Sequence, residues 1–159
     1  MKLYHGSDVA VERPVILPRG RALDFGDGFY LTSSEKQAAS WARTVARRRH
    51  TETPILNTYD LPDGALGGLD VLRFESADEA WLDFIVANRK RLPIPGAHDV
   101  VVGPVANDST LPVINEYMAG GYPKRIAIEL LEPQNLTDQY AFLTPRALDL
   151  LRFEGGVAL

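Results

Sequence analysis

Asp24-Phe25-Gly26-Asp27-Gly28-Phe29-Tyr30-Leu31-Thr32 decides how this chain is read. Two closely spaced glycines lead straight into an aromatic strand, Gly28 to Leu31, and a helix is expected to begin at Thr32. Thr32 and Glu35 have the spacing of a capping box, in which each side chain satisfies a free backbone donor of the first turn. Behind them Ala38, Trp41, Ala42 and Val45 recur at helical spacing, so that face is expected on the core. The helix should end in Arg47-Arg48-Arg49-His50, cations suited to a helix C-terminus. Upstream, Leu3-Tyr4-His5 reads as an opening strand that runs into Gly6-Ser7.

The remaining pattern is mixed. Pro14 to Pro18 reads as extended, and Arg19 to Asp27 as a loop. Strands are expected over Ile55–Tyr59, Val71–Phe74, Asp99–Val105, Arg125–Leu131 and Gln139–Leu143. Ser76 and Glu79 form a second capping box, opening a helix to about Lys90 with Ala80, Trp81, Phe84, Ile85 and Ala87 as its apolar stripe. Leu111 to Met118 reads as a helix stopped by Gly120-Gly121. Thr144, as N-cap, and Pro145, at the first helical position, open the last helix. Strands without regular βα alternation point to an α+β fold with a mixed sheet. No G-x-G-x-x-G opens a helix, so no Rossmann site is indicated.

Composition narrows the function classes. The length of 159 residues suits one domain, taken as 1–159, and 45% apolar with 24% charged residues suits a soluble globular protein. No apolar run approaches the length of a membrane span, and the N-terminus lacks a signal-peptide core. With no cysteine, thiol catalysis and Cys-ligated zinc are excluded and a reducing, cytoplasmic setting is expected. The three histidines, His5, His50 and His98, have no metal-ligand spacing, so no metal is expected. A net charge of −4 argues against a broad basic nucleic-acid face, though not against a local basic patch.

His5-Gly6-Ser7, Gly26-Asp27-Gly28-Phe29-Tyr30, Trp41 and Asp138-Gln139-Tyr140-Ala141-Phe142 occur in an order that resembles ADP-ribosyltransferases of the poly(ADP-ribose) polymerase and diphtheria-toxin branch. The whole chain looks like a bacterial family of ADP-ribosyltransferase-like toxins filed as a domain of unknown function. The matching blocks are Tyr4–Ser7, Asp24–Trp41, Trp81–Ile85, Asp99–Asp108 and Gln139–Leu150. The resemblance implies a mainly antiparallel split β-sheet core with flanking helices. It implies cleavage of the nicotinamide–ribose bond of NAD⁺, through an oxocarbenium-like transition state, and transfer of ADP-ribose to a protein or nucleic-acid acceptor. It also implies a small cognate antitoxin as partner.

Carried onto this chain, the resemblance makes His5, Tyr30 and Gln139 the catalytic set. Tyr4, His5, Gly6, Ser7, Gly28, Tyr30 and Trp41 become the NAD⁺-binding set. Gly6 would offer its backbone N–H and C=O to the carboxamide, His5 would bond a ribose hydroxyl, and Tyr30 and Trp41 would sandwich the cationic ring. Two positions depart from the family. Gln139 stands where a glutamate is usual; its carbonyl can accept a hydrogen bond, but it carries no charge and cannot act as a base. Ala38 stands where relatives often keep a serine. Asp138 points to the opposite strand face, and Glu129 and Glu132 would need other registers to replace it.

Blander readings stand beside these. Trp41 is also a core-packing residue of its helix, Asn107-Asp108 can cap the following helix, and Arg43, Arg47, Arg48 and Arg49 can be a solvated helix end. Their functional alternative is contact with a pyrophosphate, an RNA or an acidic protein; Arg19 and Arg21 could meet a phosphate. The same pocket also fits an NAD⁺ glycohydrolase, and the missing carboxylate fits a non-catalytic NAD⁺ or ADP-ribose binding module.

Overall fold

The computed structural model describes residues 1–18, 22–134 and 136–159. Arg19 and Arg21 lie outside the described residues. In chain order the elements are β1 (Lys2–Ser7), β2 (Phe29–Leu31), α1 (Glu35–Arg49), β3 (Ile55–Asp60), β4 (Val71–Arg73), α2 (Glu79–Arg89), β5 (Val100–Pro104), α3 (Leu111–Met118), α4 (Lys124–Leu131), β6 (Asp138–Phe142), α5 (Pro145–Leu148) and β7 (Arg152–Ala158). They build one three-stranded sheet, β1-β3-β7, and one four-stranded sheet, β2-β6-β5-β4. Every described pair is antiparallel except β4 with β5. The fold is α+β, with antiparallel and mixed sheets and flanking helices.

Strand alternation sorts the core into two clusters. Phe29, Leu31, Val100, Val102, Tyr140 and Phe142 project from the second sheet toward Leu3 and Tyr59 of the first. Val101 and Ala141 project the other way, onto Trp81, Leu82 and Ile85 of α2, Ile114 of α3, and Ala127 and Leu131 of α4. The Trp81 indole is fully buried and donates through Nε1 to the Pro104 carbonyl, 2.9 Å away. Helix α1 covers the outer face of the first sheet with the small side chains Ala38, Ala42 and Ala46. No described helix is long and apolar enough to cross a membrane.

Several expectations are corrected. The N-cap of α1 lies two residues later than the capping box suggested: Ser34 takes it and accepts from Gln37 N at 3.3 Å. Thr32 is drawn into backbone pairing with Tyr4 instead. Its buried face shifts to Ala38, Ala42 and Ala46, leaving Trp41 exposed. Asp78, not Ser76, caps α2, accepting from Trp81 N at 3.0 Å; Ala80 is exposed and Leu82 buried. Arg125–Leu131 is helical rather than a strand. Its burial runs Ala127 to Leu131, and Arg125 and Glu129 pair at 3.2 Å, both at the i,i+4 spacing of a helix.

Pro14 to Pro18 belongs to no strand, and the last helix ends at Leu148. The final strand, β7, escapes the sequence pattern because two glycines interrupt it. Thr58 faces Gly155 but Tyr59 faces Phe153, so Glu154 bulges out; Gly155, at φ +150, adopts a backbone angle that favours glycine.

One buried charge ties the end of the second sheet together. The Asp99 carboxylate, 3% exposed, accepts from Asp70 N at 2.9 Å, Thr144 Oγ1 at 2.7 Å and Arg146 Nε at 2.7 Å, and also from Arg146 Nη2. Thr144 therefore sits at the N-cap position of α5 but spends its hydroxyl on Asp99. The Arg146 guanidinium, then Thr144, hold the Asp99 carboxyl well below the usual carboxylate range against its own burial. A depressed folded pKa contributes stability that is complete above the unfolded value of about 3.9 and is lost as pH falls below it. Acid unfolding followed by circular dichroism should therefore show a steep limb below about pH 4 that Asp99→Asn flattens, with lower stability at neutral pH. An unchanged acid limb would remove Asp99 from this role.

Candidate functional site

The site expected from the sequence lies where the two sheets meet. Backbone pairing between β1 and β2 is confined, among the described residues, to one bridge: Tyr4 N donates to Thr32 O at 2.8 Å and Thr32 N to Tyr4 O at 3.0 Å. In an antiparallel ladder the next hydrogen-bonded pair would be Gly6 with Tyr30. That pair is not formed. His5 Nδ1 instead lies 2.7 Å from the Tyr30 carbonyl oxygen, and the imidazole rests on the Phe29 ring with centroids 4.4 Å apart. A carbonyl can only accept, so Nδ1 carries the proton and a neutral ring has its lone pair on Nε2. The same alternation turns the Gly6 N–H and C=O to the edge that faces β2.

Helix α1 closes over the other side of Gly6. A Cβ on Gly6 would stand 2.6 Å from Ala42 N and closer still to the Ala38 carbonyl oxygen, so only glycine lets the helix backbone approach the strand this closely. The far end of α1 is fixed by Arg49, whose Nη1 donates to Asp8 Oδ1 at 2.8 Å. Ser7, buried, donates weakly to that same carboxylate, 3.4 Å away. Gly28, also buried, has its own steric reason: a Cβ there would be 2.8 Å from the Phe142 carbonyl oxygen. Gly26 sits at φ +95, a conformation side chains rarely adopt.

The Tyr30 hydroxyl holds the loop before β2 in place. It accepts from Phe25 N at 3.1 Å and donates to Gly26 O at 2.6 Å. Its ring packs with the second core cluster, whereas His5 lies against Phe29 of the first. The two rings therefore occupy opposite faces of β2 and are linked through the Tyr30 carbonyl rather than by stacking. Gln139 shares the face of Ala141, the residue opposite Tyr30, and stands across from Gly103 on β5. Its Nε2 is buried without a hydrogen-bond partner among the described residues. Trp41 is not brought into this set: the residue is 44% exposed, and Arg48 lies over its ring, 5.2 Å from the centroid.

Two supporting residues were not foreseen as such. Asp138, before Gln139, accepts from Thr32 Oγ1 at 3.0 Å, Ser33 N at 2.8 Å and Ser33 Oγ at 2.5 Å, clamping the start of α1 to β6. Its opposite-face placement was legible, but its partners are more than a hundred residues away. Asn57, fully buried on β3, donates to His5 O at 3.4 Å and Val9 O at 3.1 Å and accepts from Val11 N at 2.8 Å, so it props the strand that carries His5. An asparagine inside an apolar strand is the signal that could have found it. Asn107 accepts from Ser109 N at 2.9 Å in the turn before α3, but the N-cap position of that helix is Thr110, so the capping expected of Asn107 is one turn too early.

A family model described as a protein of unknown function (DUF3990) matches residues 1–153. The chain belongs to that family. No curated protein and no solved structure matches it. In this DUF3990 member two hollows lie beside the split. One, of about 210 Å³, is lined by Phe25, Phe84 and Asn88; the other, of about 260 Å³, reaches Gly103 and Asp138, the neighbours of Gln139.

The Gly6 packing makes a direct prediction. Gly6→Ala should destabilise the protein by about 1–3 kcal/mol, because the obstacle is helix backbone rather than a movable side chain. Urea denaturation would measure it, and a wild-type midpoint would show that α1 does not rest on Gly6 as described.

Proposed function

We propose that this DUF3990 protein binds NAD⁺ at the β1–β2 split and is a mono-ADP-ribosyltransferase toxin acting on a macromolecular acceptor. One observation carries the reading: beyond the Tyr4–Thr32 bridge the ladder does not continue at Gly6 and Tyr30, so the Gly6 N–H and C=O face β2 without a ladder partner among the described residues. A primary carboxamide has one acceptor and one donor at the same spacing, so it complements such an edge as a neighbouring strand would. Sequence order adds to this, since His5-Gly6, Gly28-Phe29-Tyr30 and Gln139 follow the pattern of ADP-ribosyltransferases.

In this reading Gly6 holds the carboxamide at the edge between the strands, Tyr30 presents an aromatic wall on one side of β2, and His5 meets the ribose on the other. Gln139 contributes a neutral amide. The bond from C1′ of the ribose to the nicotinamide nitrogen breaks, nicotinamide leaves with the electron pair, and the acceptor nucleophile bonds to C1′ as it loses its proton. Gln139 cannot take that proton, so the acceptor must be a good nucleophile or be activated elsewhere. The buried, unpartnered Nε2 of Gln139 favours a ligand that presents an acceptor there. Trp41, exposed and stacked by Arg48, is left out of this pocket.

The test is incubation of the purified protein with labelled NAD⁺ and cell lysate. Label on a macromolecule is expected. Free ADP-ribose without a labelled acceptor would reassign the protein to NAD⁺ hydrolysis, and binding without turnover, unaltered by Gln139→Glu, to a binding module. Tyr30→Ala should weaken NAD⁺ binding by about tenfold or more in calorimetry. Tyr30→Phe, which keeps the ring, should lose much less. Equal affinities for both variants and wild type would end the assignment of Tyr30 as a wall of the pocket.

A further inference from the structure

Helix α1 carries a second, separate feature. Its residues include five cations, Lys36, Arg43, Arg47, Arg48 and Arg49, against one acid, Glu35, in a chain whose net charge is −4. Arg49 is committed to Asp8. Lys36, Arg43, Arg47 and Arg48 form no ion pair with any described residue, and all four are exposed. At about 100° per residue, Lys36, Ser40, Arg43 and Arg47 fall on one stripe, and Gln37, Trp41, Thr44 and Arg48 on a second about a third of a turn away. Ala38, Ala42 and Ala46 take the buried side. The outward half of α1 is thus cationic and polar around one large exposed indole, and it holds no carboxylate.

An ordinary solvated helix mixes its charges, because like charges one turn apart repel. Arg43 and Arg47 are one turn apart, and no described acid relieves them. Such an arrangement is favourable when a polyanion covers it. Trp41 narrows the class of polyanion. Its flat ring, with the Arg48 guanidinium over the centroid at 5.2 Å, is a stacking platform of the kind that takes an unpaired base. A duplex keeps its bases stacked inside, and the Asp and Glu side chains of an acidic peptide offer no aromatic ring. From Lys36 to Arg47 the stripe is about 16 Å long, enough to run along several phosphates of a single strand.

We propose that the outward face of α1 is a binding surface for single-stranded nucleic acid, with Lys36, Arg43, Arg47 and Arg48 along the phosphates and Trp41 stacking a base. It lies away from the β1–β2 split and does not rest on the NAD⁺ reading. The experiment is fluorescence anisotropy of the full chain with a labelled oligothymidylate, from about 50 to 200 mM salt. Binding is expected, with log affinity falling against log salt at a slope of about −2 to −3, as three to four phosphate contacts give.

Trp41→Ala should weaken binding about tenfold or more with little change in slope. Arg43→Gln with Arg47→Gln should lower the slope by about 1.4. These side chains point outward, so circular dichroism should match wild type. Because Trp81 is fully buried, oligonucleotide quenching of tryptophan fluorescence should come from Trp41 and vanish in Trp41→Ala. No binding at low salt, equal binding of Trp41→Ala, equal affinity for a duplex of the same length, or displacement by polyglutamate at matched charge would each overturn the proposal. The last would mark the face as a site for acidic protein.

Discussion

The structure depends on one pair of backbone hydrogen bonds. Tyr4 and Thr32 exchange N–H and C=O and thereby join two sheets that otherwise turn their strands to different neighbours. Had the ladder run on through Gly6 and Tyr30, the two sheets would be one, and Gly6 would have no open edge. The imidazole of His5 prevents this by taking the Tyr30 carbonyl. A side chain thus competes with the backbone for a ladder position, and the loser is the Gly6–Tyr30 pair. That competition ends the ladder between β1 and β2 at the Tyr4–Thr32 bridge.

The end of that ladder is fixed from three directions. Asn57 props β1 from the β3 side, Asp138 fastens Thr32 and Ser33 from β6, and α1 rests on the bare backbone of Gly6. Each is a buried or half-buried contact whose partner lies far along the chain. At the other end of the second sheet, the Asp99 carboxylate performs a similar task for β4, β5 and α5 through four donors. A carboxylate so enclosed is tolerable because every lone pair is engaged and a guanidinium balances its charge. The split and the Asp99 cluster bracket the second sheet, and its two apolar faces do the rest.

How much could be read beforehand follows from how local each signal is. Strands β1, β2, β3, β5 and β6 and helices α1 to α3 were legible because alternation, helical spacing and glycine stops act within a few residues. Cap positions slipped by two residues because Thr32 and Ser34, or Ser76 and Asp78, are equally able to cap; tertiary demand chose. Arg125–Leu131 was misread because a short apolar run fits either period, and packing against α2 and α3 selected the helix. Strand β7 was missed because its glycines serve a bulge visible only beside β3. Trp41 was expected inward because it shares a helical stripe with Ala38, Ala42 and Val45, but the close contact of α1 with Gly6 turns the alanine face inward instead.

By itself the sequence determined which residue types stand in order along the chain: a histidine before a glycine, a glycine-led tyrosine, an amide near the C-terminus, and a helix loaded with arginine. It determined the periodicity that turns those segments into strands and helices. Only the tertiary structure decided that His5 spends a ring nitrogen on Tyr30 where the ladder stops, that the His5 and Tyr30 rings face opposite ways, and that Trp41 looks outward among the cations of α1. The physical reason is that propensity and pattern act between near neighbours. The competition for a hydrogen bond, and the choice of which helix face fits a bare strand, are settled between residues that meet only in the folded chain.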